Sequence, residues 1–154
     1  MTKSSTAAGA ETTPYAQEAG RRAVLEHLQR SGTPAEVSSA GSGRYRVHWP
    51  LPDVLPWVSI LIPTRNQLDL LRQCITTLNR LTDYPNRELI VIDNGSDEPA
   101  ALAYLAELEK QPNTQVLRDA SPFNYSALNN LAARAASGEL LVLLNNDIEV
   151  IDGH

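Results

Sequence analysis

Three short polar segments in this chain each follow an apolar run directly. They are Pro63-Thr64-Arg65-Asn66 after residues 58–62, Asp93-Asn94-Gly95-Ser96 after residues 88–92, and Asn145-Asn146-Asp147 after residues 140–144. If the apolar runs are parallel strands, the three segments gather at the carboxyl edge of one sheet. Ligands of such sheets bind at that edge, so we expect the functional site there.

Each of the first two segments suits a nucleotide and also has a simpler interpretation. The turn at residues 63–66 joins a strand to a helix, where free backbone N–H groups bind an anion or a base edge. The carboxylate and amide of Asp93 and Asn94 suit a base edge or ribose hydroxyls. The alternatives are a plain turn in which Asn66 caps the following helix, and a tight turn in which Ser96 does so.

The third segment is a candidate metal site. The Asp147 carboxylate, with oxygen ligands beside it, suits Mg²⁺ or Mn²⁺ when phosphate and water supply the other ligands. Glu149 is a second candidate ligand, because alternate side chains of an extended chain point the same way. The alternative interpretation is a polar turn.

The periodicity between these segments predicts β-α-β-α-β-α-β over residues 58–147. Leu68, Leu71, Ile75, Leu78 and Leu81 recur at helical spacing, with Asn66 as the expected cap. We expect a second helix over 97–110, a strand over Thr114–Arg118, and a third helix capped by Asn124 and ended by Gly138. Apolar strands alternating with amphipathic helices indicate an α/β fold, with a parallel sheet covered on both faces.

The first third of the chain has a different pattern. Residues 1–13 are small and polar, which predicts a disordered tail. Residues 14–56 predict a helix over 14–30, strands at 36–39 and 44–49 around a glycine-rich turn, and a proline-rich connector. The boundary of the second domain, 57–154, is expected after this connector.

Composition and missing motifs exclude several functions. The formal net charge is −5 and no Lys/Arg cluster occurs, so a nucleic-acid partner is not expected. The single cysteine, Cys74, is expected to be a buried thiol, which suits a reducing cytoplasm. No apolar run approaches the roughly 20 residues that span a bilayer. The sequence contains no dinucleotide-binding glycine motif, P-loop or nucleophile elbow. A receiver-like domain would need a lysine partner for Asp93, and none is present.

Taken together, the three motifs resemble those of family 2 glycosyltransferases with the GT-A fold, in order and spacing, over roughly residues 57–152. The segments 122–130 and 144–147 are similar to those of bacterial transferases that build O-antigen and other surface polysaccharides, rhamnosyltransferase-like members among them. The resemblance covers the N-terminal, nucleotide-sugar-binding part of such enzymes. It implies a truncated, Rossmann-like sheet with strand order 3-2-1-4, counted from residue 58, preceded by the small helix and β-hairpin.

The resemblance also implies roles for individual residues. Pro63, Thr64 and Arg65 would line the nucleobase pocket, Asp93 and Asn94 would hold base and ribose, and Asn130 would support the nucleotide site. The segment 145–147 matches the Asp-x-Asp metal motif, with Asn145 in place of the first aspartate and Asp147 as the metal ligand. In the segment 93–96, which matches the family's usual Asp-Asp-Gly-Ser, Asn94 stands in place of the second aspartate.

The partners follow from the same resemblance. They are a dTDP- or UDP-sugar donor, Mg²⁺ or Mn²⁺, and a saccharide or lipid-linked acceptor. In such enzymes the acceptor site and the general base lie C-terminal to the metal motif, so the base is expected beyond His154 and the chain is expected to be a fragment. The resemblance places the protein in the cytoplasm and allows peripheral association with the inner membrane face through missing regions. The alternative is a nucleotide-sugar-binding module without turnover.

Overall fold

The computed structural model describes residues 14–41 and 43–152. The predicted tail 1–13, Ser42 of the hairpin turn, and residues 153–154 lie outside the described residues. The chain divides into two compact units between Asp53 and Val54.

The first unit is a helix and a β-hairpin. Helix α1 spans Pro14–Arg30, and strands β1 (Glu36–Ser39) and β2 (Tyr45–His48) pair in antiparallel fashion. The Tyr45 hydroxyl donates to the Gln17 carbonyl at 3.0 Å, which ties the hairpin to the helix. The elements are those predicted, although β2 is shorter than the predicted strand at 44–49.

The second unit is a four-stranded parallel sheet with three helices. Its elements are β3 (Val58–Thr64), α2 (Leu68–Leu81), β4 (Arg87–Asp93), α3 (Pro99–Leu108), β5 (Thr114–Arg118), α4 (Tyr125–Ala135) and β6 (Leu140–Leu143). The strand order is β5-β4-β3-β6, and each neighbouring pair is parallel. Counted from β3 this is 3-2-1-4, so the expected order is confirmed.

The central strands carry the core. Ile62 and Val91 point to one face and pack in a cluster with residues of α2 and α3, while Leu61 and Ile90 point to the other and pack with α4. All four are fully buried. Burial of each such side chain stabilises the fold by about 1.5–3 kcal/mol, so β3 and β4 hold the loops at their carboxyl ends in place.

Strand β6 is the most exposed strand of the sheet. Its residues Leu140, Leu141, Val142 and Leu143 are between 42% and 52% exposed. The strand pairs with β3 alone, and none of the described residues pairs with its other edge. The helices cover both faces of β3 and β4, as predicted for the sheet, and β6 lies beyond them at the sheet edge.

The helix starts also differ from prediction in two places. Asn66 does not cap α2: the cap position belongs to Gln67, whose side chain makes no capping hydrogen bond. Ser96 does not cap α3, which begins at Pro99, because the residue before a proline is driven out of the helical region. Asn124 does cap α4 as predicted, since its side chain accepts from the Ala127 amide at 3.0 Å. Among the described residues, no helix has the length and apolar character that a membrane crossing requires.

Candidate functional site

The carboxyl ends of β3, β4 and β6 surround a cavity of about 260 Å³. Its lining residues are Pro63, Thr64, Arg65, Gln67, Asn94, Phe123, Tyr125, Leu128, Asn145 and Asn146. In the parallel register, Thr64 at the end of β3 lies beside Asp93 at the end of β4. The last residue of β6, Leu143, lies beside Leu61 of β3. All three polar segments singled out in the sequence therefore contribute to this cavity or lie next to it.

Asn94 is the most constrained polar residue of the cavity. It is 4% exposed, and its backbone N–H donates to the Thr64 carbonyl at 2.8 Å. Its side-chain Nδ2 donates to the carbonyls of Asp119 and Ser121, both at 2.9 Å. These two bonds fix the amide orientation and leave Oδ1 buried without a partner. A buried acceptor left unpaired costs about 1–3 kcal/mol, which a ligand with an N–H or O–H group would recover.

Asp93 lies next to Asn94 in sequence but does not line this cavity. Its carboxylate is 1% exposed, accepts from the Ser96 amide at 2.8 Å and lies 3.5 Å from the Arg118 guanidinium. Arg118 also donates to the Ser96 carbonyl at 2.8 Å. The carboxylate is thus engaged with its own loop, and its expected role toward base and ribose stays a prediction. Sequence reasoning missed Arg118, because its register with Asp93 depends on the pairing of β4 with β5, which motif spacing does not show.

Three contacts tie the segment after β6 to its neighbours. Asn146 Nδ2 donates to the Thr64 hydroxyl at 3.0 Å, which joins the ends of β6 and β3. On the α2 side, the Val150 amide donates to the Thr77 hydroxyl at 3.1 Å, and the Cys74 thiol lies 3.7 Å from the Asn145 carbonyl. Cys74 is buried as predicted; its burial, and after it the charge of Asp147, raise the pKa of this thiol.

Asp147 is exposed beside the cavity. In the described part of the chain, its carboxylate makes no hydrogen bond or ion pair, so it is free to bind a cation. No group of three His, Cys, Asp or Glu side chains able to hold a metal occurs among the described residues. One carboxylate beside asparagine oxygens fits Mg²⁺ or Mn²⁺ if phosphate and water oxygens complete the coordination.

Asn130, the remaining predicted site residue, is exposed and does not line the cavity. Its neighbour Asn129 is 5% exposed: Nδ2 donates to the Tyr125 carbonyl at 2.9 Å, and Oδ1 has no partner. Sequence reasoning passed over Asn129, although it follows Leu128 on the buried side of α4 and so signalled a buried amide. It also passed over Phe123 and Tyr125, whose exposed rings line the cavity.

The model of the family described as glycosyl transferase family 2 matches residues 59–154 of this chain. The chain belongs to glycosyl transferase family 2. The match covers the whole α/β unit from β3 onward, including all three polar segments at the sheet edge.

Curated relatives extend the likeness to the N-terminal unit. The family 2 chain is 46% identical to protein y4gI of Sinorhizobium fredii over 153 residues, which is 97% of this chain and 17% of the relative. It is 45% identical to the O-antigen biosynthesis protein RfbC of Myxococcus xanthus over 137 residues, or 89% of this chain and 11% of that protein. The chain therefore spans less than a fifth of these relatives.

Solved glycosyltransferases share the fold of the family 2 chain. The mannosyltransferase PcManGT of Pyrobaculum calidifontis, in complex with GDP-Man and Mn²⁺, matches with a TM-score of 0.58 at 21% identity, over 88% of this chain and 37% of that one. Residues 1–349 of TarS from S. aureus match with a TM-score of 0.54 at 21% identity, over 60% and 28% of the two chains. At these identities the likeness establishes the GT-A fold.

Proposed function

We propose that this family 2 chain binds a nucleoside-diphosphate sugar with a divalent metal, for sugar transfer to a growing polysaccharide or lipid-linked acceptor. The observation that carries the proposal is Asn94, which lines the cavity where the family 2 motifs converge and whose buried Oδ1 has no hydrogen-bond partner among the described residues. The likeness to an O-antigen biosynthesis protein supports the polysaccharide part.

The unpaired acceptor favours a particular class of nucleobase. Uracil and thymine present an imide N–H that Asn94 Oδ1 would accept, whereas the corresponding cytosine nitrogen is itself an acceptor. The exposed rings of Phe123 and Tyr125 offer faces on which a base stacks, a contact worth about 1–3 kcal/mol. Pro63, Thr64 and Arg65 line the same cavity, and Arg65 places a cation there. The acceptor disfavours cytosine, and among the bases that present such an N–H we propose uracil or thymine, that is, a UDP- or dTDP-sugar as the donor.

We further propose that Asp147 and Asn145 hold the divalent metal, with Asn145 also facing the donor. When bound, such an ion neutralises the charge that develops on the departing diphosphate. The chain's own contribution is to hold the segment that carries Asp147, through the Asn146–Thr64 and Val150–Thr77 hydrogen bonds. Asn130 is proposed to support the nucleotide through α4, whose buried Asn129 lies beside it.

No described residue is assigned as the general base or as part of an acceptor site. We propose that the chain is the donor-binding part of a longer transferase, because it spans less than a fifth of its curated relatives. Its buried free thiol suits a reducing cytoplasm, where we place it, at the inner face of the membrane. On this proposal the 154 residues alone bind donor without transferring sugar. Acceptor-dependent donor consumption by the purified chain would contradict that.

Calorimetric titration with free nucleotides tests the donor class. With Mn²⁺ present, we expect UDP and dTDP to bind and CDP to bind at least about tenfold more weakly, since one hydrogen bond becomes a repulsive contact. N3-methyl-UDP replaces the imide proton with a methyl group, which removes the donor and adds bulk, so it should lose at least a similar factor. Equal binding of all four nucleotides would refute the role of Asn94, and binding of none would refute the donor site itself.

The metal is tested by thermal unfolding with UDP and Mn²⁺. A ligand that binds only the folded chain raises the midpoint by mass action. We expect Asp147→Asn to remove the Mn²⁺-dependent part of this rise. Asp83→Asn, the same change beside a different cavity, is the matched control and should retain it. A full Mn²⁺ response in Asp147→Asn would place the metal elsewhere.

A further inference from the structure

Asn66 joins the two loops that carry the cavity residues. Its backbone N–H donates to the Ser96 hydroxyl at 2.7 Å, and its side-chain Nδ2 donates to Asp97 Oδ1 at 2.8 Å. Its Oδ1 accepts from the amides of Asp97 and Glu98 at 3.0 and 3.2 Å. These four hydrogen bonds, which we call the Asn66 clasp, link the β3–α2 loop to the β4–α3 loop. None of them stabilises α2, the helix that follows Asn66.

The clasp holds a backbone conformation that is rare for its residues. Asn66 and Gln67 are consecutive non-glycine residues with φ of 52° and 48°. Side chains with a Cβ disfavour this left-handed region, and asparagine is among those that tolerate it best. Two such residues in succession persist only where the surrounding contacts determine them. Here those contacts come from the neighbouring loop, because Gln67 makes no capping hydrogen bond of its own.

The two loops joined by the clasp contribute facing parts of the cavity. Arg65 and Gln67, on either side of Asn66, line it from the β3–α2 loop, while Asn94 lines it from the β4–α3 loop. Ser96, which accepts from Asn66, is itself held by Asp93 and Arg118. The network thus runs from the buried Asp93 carboxylate to the turn that presents Arg65.

We propose that Asn66 is a positioning residue, which sets the distance between Arg65 and Asn94 and thereby the affinity for the donor nucleotide. The inference rests on the proposed function, because it assumes that the nucleotide occupies this cavity. Asn66 does not line the cavity itself, so its effect on binding passes through its two neighbours.

A pair of charge exchanges tests the clasp without large changes in shape. Asn66→Asp replaces the Nδ2 donor by a carboxylate oxygen that faces Asp97, so the two loops repel each other. Asp97→Asn keeps a carbonyl oxygen that accepts from Asn66 and should be mild. In the double variant with N66D and D97N, the amide at position 97 donates to the carboxylate at position 66, so the hydrogen bond is restored with its direction reversed. We expect N66D to weaken UDP binding about tenfold, and the double variant to lie within about threefold of the unmodified chain.

Asn113→Asp is the matched control, because Asn113 also has a positive φ of 52° but lies in the loop before β5. It should leave the UDP Kd unchanged. Calorimetry is done well below each variant's unfolding midpoint, so that all chains are folded. If the unmodified chain binds UDP and N66D binds it equally, the clasp inference is overturned while the donor site stands. Weak binding in both N66D and the double variant would also overturn it. If the unmodified chain binds no nucleotide, the proposed function fails first.

Discussion

A carboxylate at the start of the sheet gives the sharpest prediction about stability. Glu88 Oε1 accepts from the Ser59 hydroxyl at 2.5 Å and from the Ser137 amide and hydroxyl at 2.7 and 2.8 Å. The Ser59 hydroxyl in turn accepts from the Gly138 amide at 2.9 Å. These contacts tie β4 and β3 to the chain that enters β6. Glu88→Gln keeps the shape and removes the charge.

The magnitude follows from the number of bonds. A hydrogen bond to a charged group contributes about 1.5–3 kcal/mol, against about 0.5–1.5 for a neutral pair. Three bonds that each lose about 1 kcal/mol give about 3 kcal/mol, and partial exposure of the carboxylate reduces this to about 2 kcal/mol. For a unit of this size, that corresponds to a midpoint about 8 °C lower.

The pH dependence of the effect has a definite sign. Burial acts to raise the pKa of Glu88, but hydrogen bonds from Ser59, Ser137 and Gly138 outweigh it and hold the pKa below its ordinary value of 4.5. A carboxyl with a depressed folded-state pKa stabilises fully above its unfolded pKa, and this contribution is lost as the pH falls through the folded value. The difference between the unmodified chain and Glu88→Gln should therefore be full at pH 7 and shrink below about pH 4.5.

Thermal unfolding by circular dichroism between pH 3 and pH 8 measures both effects. Glu139→Gln is the control, since Glu139 is exposed and accepts only one long contact, from the Trp57 amide at 3.4 Å. It should change the midpoint by less than about 2 °C. Identical midpoints for Glu88→Gln and the unmodified chain at pH 7 would refute the reasoning, as would a difference that does not change with pH.

Three further predictions concern the same unit. A Cβ on Gly138 would lie 2.5 Å from the Ser59 hydroxyl and 2.8 Å from the Trp57 carbonyl, so Gly138→Ala should cost about 1–3 kcal/mol or more in chemical denaturation. Cys74 is 1% exposed, so iodoacetamide should alkylate it far more slowly than a free thiol at pH 8, and labelling at the free-thiol rate would contradict its burial. Leu141, 44% exposed on the edge strand, should tolerate Leu141→Lys with little change in midpoint and less light scattering at high concentration.

The part of the fold that sequence predicted rests on periodicity. Of the leucine and isoleucine spacing predicted for α2, Leu71, Ile75 and Leu78 are buried, while Leu68 and Leu81 at its ends are half-buried. The apolar runs of β3 and β4 are the most buried strands. The order of the strands came from the family resemblance, because spacing alone does not decide which parallel strands are neighbours. The exposure of β6 was not readable from its composition, since an apolar run indicates a strand without saying what covers it.

The sequence predicted which segments form the site but not the contacts that each side chain makes there. Asn66 and Asp93 are polar residues at strand ends, and sequence offered both a ligand role and a local role for such residues. In the structure both residues bind the β4–α3 loop. The partners of Asn66, Ser96 and Asp97, lie about thirty residues away in the chain, so the sequence did not indicate them. Arg118 was missed for the same reason, since its partner Ser96 lies in the β4–α3 loop. Asn129 differs, because its partner is the Tyr125 carbonyl of its own helix, and only its burial distinguishes it from the neighbouring Asn130.

The resemblance to family 2 implies an acidic residue at position 94, and the asparagine found there changes more than the charge. Asn94 Nδ2 donates to two carbonyls of the β5–α4 loop, the loop that continues to Phe123. An aspartate could only accept, so it would leave both carbonyls facing a negative charge, and the loop could not keep this position. The amide nitrogen therefore fixes the loop that carries the aromatic ring, while the buried amide oxygen has no hydrogen-bond partner among the described residues. On the proposed function, this side chain couples the position of the ring to the acceptor offered to the base. A substitution that restored the acidic residue would have to be accompanied by a new donor for the carbonyls of Asp119 and Ser121.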